Sequence, residues 1–264
     1  MSRSSGSTQV RVHLAGDALN ACVVQRDKRG WRVVDKARFA FFPGERSAAF
    51  GVFAAWMRPA ASNASVAWIF GSADVKYVLL PWAPELVDDR LRDAVANALF
   101  IQLFGQDPVL CEVRFAPLSY GCTRWAAFVM RGLLAEVDAH AREAHRRLAA
   151  IEPAVSAVWQ RFAPLLGKER GVLGVIDGDR QTLVRHDLSR IESIAFRPFG
   201  GEEGRAIHRP HPTGETLRFF CSTPLQSQSQ SQSTSTHSTL SLPAVPGFDP
   251  TLDGAYVFAL CGVL

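Results

Sequence analysis

The sequence predicts an α/β fold, and three observations carry that prediction. Three extended runs followed by a helical segment open the chain, and a second strand-turn-strand series begins at Gly171. Apolar residues make up 47% of the chain and charged residues 20%, the balance of a globular protein with a sizeable core. No run of ~20 apolar residues occurs, so the apolar content belongs to a folded core and not to a membrane span.

The first strands lie between Gln9 and Phe42. Val10, Val12 and Leu14 alternate with polar residues, Asp17-Ala-Leu-Asn20 interrupts them, and Ala21 to Gln25 resumes the alternation. Arg26 to Gly30 is a polar turn, and Trp31, Val33, Val34 and Phe39 to Phe42 form a third extended run. Ser47 is placed to cap a helix with Phe50, Phe53, Ala54 and Met57 on its apolar face. Ser65 to Phe70 and Val75 to Leu80 are short runs rich in β-branched and aromatic residues. Helical spacing from Pro84 to Phe104 follows, with Asp88 and Arg92 as an i,i+4 pair and Gly105 as the stop. Leu110 to Ala116 and Arg124 to Met130 read as a strand pair around the Ser119-Tyr-Gly121 turn.

Arg131 to Leu148 reads as the clearest helix, because Leu134, Val137, Ala141, Ala144 and Leu148 follow 3-4 spacing and Asp138–Arg142 and Glu143–Arg147 are acid-before-base pairs. A short strand over Ala149 to Glu152 and a helix over Ala154 to Phe162, with Pro153 in its first turn, come next. Gly171 to Asp177, Gln181 to His186, Ile191 to Phe199 and Thr216 to Ser222 read as strands. Gln226 to Thr239 is a Gln/Ser/Thr tract without an apolar residue, which predicts disorder. The apolar run from Tyr256 to Leu264 predicts a C-terminus docked back into the fold.

Charge and cysteine usage exclude several functions. Lys plus Arg total 29 and Asp plus Glu 25, a net charge of +4 with no basic block, which does not make a nucleic-acid footprint. Met1 to Val10 lacks the apolar core of a secretory signal. The five cysteines are widely spaced with no CxxC, so reduced thiols and a cytoplasmic location are expected. GxSxG, GxxxxGK[ST], HExxH and GxGxxG are all absent.

The remaining candidates each have an ordinary structural reading. His208, His211 and Cys221 have metal-ligand chemistry but read more simply as loop residues. His140 and His145 fall on different faces of one helix and read as solvated. Glu112 and Arg114 share a strand face as a surface pair. Trp56, Trp68, Trp82 and Trp125 are core residues or interface anchors. Asp177-Gly-Asp-Arg-Gln-Thr182 is the most informative, since a Gly-containing turn after an apolar strand can present N–H groups to a phosphate and an acid to Mg²⁺. It also reads as an ordinary Asp-Gly hairpin. Gly16-Asp17 has the same two readings.

Taken together, the pieces resemble the actin-like ATPase superfamily, and within it the PilM and GspL cytoplasmic platform proteins of type IV pilus and type II secretion machines. Val10 to Val24 stands where that family has its first phosphate-loop hairpin, and Val78-Leu-Leu-Pro81 with the Pro84 helix where it has a "valP" strand and helix. Phe128 to Glu152 resembles the helix leading to a strand that ends "iEP", here Ile151-Glu-Pro153. Val172 to Thr182 resembles the second phosphate loop, Phe199-Gly-Gly201 the Gly-Gly after it, and Ala255 to Leu264 the final helix that packs into the second domain.

The resemblance implies an actin-like (ribonuclease H-like) two-lobed fold with a reduced second lobe. It implies a disordered N-terminus over 1–8, a first lobe over 9–153 and a truncated second lobe over 154–264 with a disordered loop at 226–239. Asp17, Asp177, Gly178, Asp179 and Thr182 are then the cofactor-binding positions. The family's Asp-x-Gly is not intact in Leu14-Ala-Gly-Asp17, the second loop has one Gly, and no adenosine-type Gly-Gly lies between Gly201 and Ala255. The expected function is therefore a non-catalytic cytoplasmic scaffold, peripheral to the inner membrane, that binds the cytoplasmic segment of an inner-membrane assembly protein without a cofactor. The alternative is an ATPase that holds ATP and Mg²⁺ at Asp177–Thr182, with Asp17 opposite.

Overall fold

The computed structural model describes residues 7–42, 44–58, 64–188, 190–199, 216–222 and 237–264. In chain order it contains β1 (Thr8–Leu14), β2 (Ala18–Asp27), β3 (Gly30–Ala40), α1 (Arg46–Met57), β4 (Ser65–Phe70) and β5 (Val75–Leu80). Then come α2 (Asp89–Phe104), β6 (Cys111–Phe115), β7 (Arg124–Met130), α3 (Arg131–Glu143), β8 (Arg147–Pro153) and α4 (Ala154–Leu166). The chain ends with β9 (Arg170–Asp177), β10 (Arg180–Asp187), β11 (Arg190–Pro198), β12 (Thr216–Cys221), β13 (His237–Thr239) and the four-residue α5 (Val257–Leu260).

Two five-stranded sheets repeat one topology. Their orders are β3-β2-β1-β4-β8 and β11-β10-β9-β12-β13. In each, the first three strands form an antiparallel meander, and the last two add in parallel. The β4–β8 connection runs over residues 71–146 and inserts α2 and a three-stranded sheet, β5-β7-β6. The corresponding β12–β13 connection spans only 222–236, so the second half is the smaller one. The two sheets share one apolar core, with Trp68, Phe50, Phe53, Phe220 and Phe258 fully buried in it.

β1 is buried on both faces, as a central strand with covered sides must be. Val10, Val12 and Leu14 are fully buried, and so are the alternate residues Arg11 and His13. Arg11 Nε donates to the Ala259 carbonyl at 2.6 Å, tying the C-terminal segment to the first sheet. Burial lowers the Arg11 pKa, and the Glu152 charge partly offsets this. α5 packs on β1, β2 and β4 as well as α4. The C-terminal run thus docks between the sheets and not within the second alone. Phe258 is its wedge, 4.8 Å from the His13 ring and 5.1 Å from Phe220, centroid to centroid.

Several element boundaries differ from the sequence expectation for identifiable reasons. α1 starts at Arg46, after Glu45, so Ser47 lies inside the first turn and caps nothing. The Pro84 segment begins as a 3₁₀ turn over Pro84–Val87, and Asp88 caps α2 by accepting from Leu91 N–H at 2.9 Å. Arg92 therefore pairs with Asp89 and Asp93 instead of Asp88. α3 stops at Glu143. His145 takes a positive φ of 51° and Arg146 N–H closes the end on Ala141 O, so Glu143 and Arg147 do not share a helix. Parallel pairing with β4 draws Arg147 and Leu148 into β8, overriding their helical spacing. Pro153 is the residue before α4, and that helix continues to Leu166.

Thr8 already pairs with Gln25, so the expected N-terminal disorder does not extend to it; residues 1–6 lie outside the described residues. His237 to Thr239, the end of the Gln/Ser/Thr tract, form β13, while 226–236 lie outside the described residues. His140 stacks on Phe50 at 4.6 Å and is not simply solvated. Glu112 and Arg114 form the expected surface pair, at 3.0 Å. Trp56, Trp68 and Trp125 belong to the core or pack against it, and Trp82 lies half-buried on Tyr120. Cys22, Cys111, Cys122 and Cys261 are free thiols.

Candidate functional site

The C-terminal ends of β1, β4 and β9 meet at the junction of the two sheets, where an open α/β fold places a ligand. Here the carboxylate of Asp177 is engaged by groups of the chain itself, and a cavity of about 360 Å³ opens beside it, lined by Ser72, Ala73, Arg180 and Thr182. Asp177, the last residue of β9, is buried and accepts the Ser72 backbone N–H at 2.9 Å. His13 Nε2 lies 3.4 Å from the same carboxylate oxygen. Thr182 Oγ1, on β10, is 3.4 Å from Ser72 Oγ. Burial pushes the Asp177 carboxyl up, but the His13 ring, the Ser72 N–H and the Arg180 charge outweigh it and hold it below the ordinary carboxylate value.

Gly71 makes this approach possible. A Cβ at residue 71 would sit 2.2 Å from Asp177 Oδ2, 2.7 Å from the Leu14 carbonyl and 3.2 Å from His13 Nε2. Gly71 N–H itself donates to Leu14 O at 2.9 Å. Sequence reading missed Gly71, Ser72 and His13; the available signal was a glycine directly after an apolar strand, which marks close backbone approach.

The five expected cofactor positions fall into different environments. Asp177 and Thr182 come together around Ser72. Gly178 and Asp179 form an exposed two-residue turn between β9 and β10, with Gly178 at φ 62°. Asp17 is exposed and pairs with Arg38 at 2.7 Å. In the first hairpin, Ala15 N–H is taken by Ala18 O. A phosphate cradle needs several free N–H groups pointing at one spot, and an Mg²⁺ site needs carboxylate lone pairs free to face it. With Asp177 held by Ser72 and His13 and Asp17 held by Arg38, these residues as arranged do not fit a Mg-nucleotide. Among the described residues no three His, Cys, Asp or Glu side chains group as metal ligands; His208 and His211 lie outside them.

A second feature lies beside β8, the end strand of the first sheet. A groove of about 640 Å³ runs between β8, α3 and the β6–β7 ladder, with Val129, Leu134, Leu148 and Ile151 as walls and Arg114 and Asp138 at its rim. A smaller hollow of about 260 Å³, which shares Arg114, Ala127, Ile151 and Pro153, continues it toward Tyr77 and Trp125. The outer edge of β8 has no strand partner among the described residues. Apolar walls next to a free strand edge are what an extended peptide needs: ladder hydrogen bonds from the edge and pockets for alternate side chains.

Comparison with solved structures agrees with this architecture. The chain matches the cytoplasmic domain of EpsL, an inner-membrane component of the Vibrio cholerae type II secretion system, with a TM-score of 0.63 and 15% identity over 96% of this chain and 95% of that one. It matches a protein of Bacteroides thetaiotaomicron with an actin-like ATPase fold and unknown function at TM-score 0.57 and 7% identity, over 81% of this chain and 82% of the other. A chain of a PilM–PilN type IV pilus biogenesis complex matches at TM-score 0.52 and 15% identity, over 74% of this chain and 62% of that one. No family model matches the sequence, and no curated protein does. The fold is therefore the actin-like α/β fold, with two repeated sheets and a reduced second half. Among the described residues no helix is long and apolar enough to cross a membrane.

Proposed function

We propose that the chain is a non-catalytic scaffold on the cytoplasmic side of a type II secretion or type IV pilus assembly machine, where it binds the cytoplasmic tail of an inner-membrane assembly protein. The observation that carries this reading is the engagement of Asp177: its carboxylate oxygen is taken by Ser72 N–H and the His13 ring within the chain. Similarity to EpsL over nearly the whole of both chains supports the kind of machine. The solved PilM–PilN complex supports the kind of partner. The groove along β8 is the place for such a tail, entering as an extended segment against the free strand edge.

The test uses synthetic peptides copied from the cytoplasmic tails of the inner-membrane secretion and pilus proteins of the same cell, titrated into the purified chain. Ala149 is exposed on the groove and carries no core packing. One peptide is expected to bind at micromolar concentration, and Ala149→Arg is expected to weaken it at least ten-fold. Failure of every peptide to bind, or binding unchanged by Ala149→Arg, would overturn the groove assignment.

A further inference from the structure

The first sheet gathers cations along one edge, at the end where β1, β4 and β8 begin. The β2–β3 hairpin projects there. Its two turn residues are Lys28 and Arg29, flanked by Arg26 and Arg32, and all four are exposed. A tight hairpin turn asks for Asn, Asp or Gly, and Gly30 already supplies the positive φ, at 121°, so the turn itself does not require cations. Thr8 pairs with Gln25, Gln9 with Ser65, and Ser65 with Arg147. Exposed Arg147 therefore stands in the same row, about 14 Å from β2 at ~4.8 Å per strand. Arg146 donates to the Met57 carbonyl at 3.2 Å, so α1 also ends here and adds exposed Arg58. The sequence shows no basic block because these residues come from three separate segments; the sheet brings them together.

Among the described residues, none of these six cations pairs with a carboxylate. Arg32 donates to Gln25 Oε1 at 2.7 Å and Arg26 lies 5.8 Å over the Trp31 ring, contacts that fix position without removing charge. Asp27, the acid of the hairpin, accepts the Arg29 backbone N–H at 2.7 Å, and Glu143, at the end of α3, faces His140 at 3.8 Å. Six cations against these two acids leave a surplus of four, as large as the net charge of the whole chain. Elsewhere Arg38 is matched by Asp17, Arg142 by Asp138, and Arg170 by Asp187 and Glu192. The positive charge is segregated on one edge.

We propose that this edge docks on a membrane surface carrying anionic lipid headgroups, with the β2–β3 hairpin leading. The turn stands three residues beyond the level of Thr8, roughly 10 Å, so Lys28 and Arg29 reach the headgroups first. Arg58 and Arg147 follow within about one Debye length and still feel the surface field. Long cationic side chains on a projecting tip suit a flat field of phosphates. A single-stranded nucleic acid asks instead for a groove and open aromatic faces, and Trp31, the ring of this hairpin, is packed against the core beneath Arg26. Docking in this way turns the start of β8, and the groove beside it, toward the bilayer. The inference does not require that groove to be occupied.

The experiment is flotation of the full chain with vesicles of phosphatidylcholine, alone or with about one third phosphatidylglycerol, at ~0.1 M salt, where the Debye length is ~10 Å. Binding is expected to the anionic vesicles only, and it is expected to weaken as salt is raised. Each Lys or Arg at such a surface is worth about five-fold in partitioning, so Lys28→Gln combined with Arg29→Gln is expected to weaken binding about thirty-fold. Arg38→Gln combined with Arg170→Gln makes the same change in net charge at cations already matched by acids, and is expected to weaken it less than about two-fold. All four side chains are exposed, and unchanged urea midpoints are the check that both variants fold. Equal binding to neutral and anionic vesicles, full binding by the Lys28/Arg29 variant, or an equal loss in the Arg38/Arg170 variant would each overturn the inference. Capture of the chain by polyuridylate RNA without vesicle binding would overturn it as well and assign the edge to nucleic acid. The vesicles hold no protein, so these outcomes are independent of peptide binding in the β8 groove.

Discussion

Replacing Gly71 by Ala tests the junction with a single methyl group. The backbone of Gly71 is not in the left-handed region, so alanine carries no local strain there, and its cost comes from what the new Cβ meets. Its contacts at 2.2 Å with Asp177 Oδ2 and 2.7 Å with the Leu14 carbonyl cannot persist, so β4 and β9 must separate. Overpacking of this kind costs ~1–3 kcal/mol. Displacing Asp177 also lengthens its bond to Ser72 N–H, and a hydrogen bond to a buried charge is worth ~1.5–3 kcal/mol. The sum is about 2.5–6 kcal/mol, which for a chain of this size lowers Tm by roughly 5–20 °C. Urea unfolding followed by tryptophan fluorescence measures it, with Trp68 buried in the shared core as reporter. An unchanged m-value with a lowered midpoint is expected. Destabilisation below about 1 kcal/mol would mean that the sheets are not in contact at Gly71, and the reasoning fails.

Other substitutions separate the remaining parts of the account. The Asp177 pKa is lower in the folded chain than in the unfolded one, so its contribution is present above the unfolded value of ~3.9 and is lost as pH falls through the folded value. Asp177→Asn should therefore flatten the loss of stability below about pH 4 in acid-titration unfolding curves. Phe258→Ala removes a fully buried ring between His13 and Phe220 and should cost ~3–5 kcal/mol by urea unfolding, since both sheets close on it. Asp17→Ala breaks only an exposed pair with Arg38 and should change the urea midpoint by the equivalent of less than ~0.5 kcal/mol. A large effect there would place Asp17 in a buried role that the geometry does not give it.

The strands were the legible part of the sequence, because their signals are local. Val10, Val12 and Leu14 alternate, Gly171 to Asp177 is continuously apolar, and Asp177-Gly-Asp179 is a hairpin turn by composition. The end of α3 was not legible. Ala144 and Leu148 keep helical spacing, and only pairing with β4, a contact between residues far apart in sequence, moves Leu148 into a strand. The candidate site was half legible for the same reason. Asp177 and Thr182 could be read from their turn. Their partners Gly71 and Ser72 follow a different strand more than a hundred residues away, and nothing in the local pattern links the two segments. Asp17 and Asp177 look equivalent as acids at hairpins, yet one ends on Arg38 at the surface and the other inside the junction.

Calorimetric titration of the purified chain with Mg-ATP, alongside Asp177→Ala, shows whether the junction takes a nucleotide. No binding heat is expected up to millimolar ATP for either protein, because the group that would face a phosphate is bonded to Ser72 within the chain. Binding tighter than about 100 μM, equivalent to ~5.5 kcal/mol, that Asp177→Ala abolishes would contradict it and make the junction a nucleotide site.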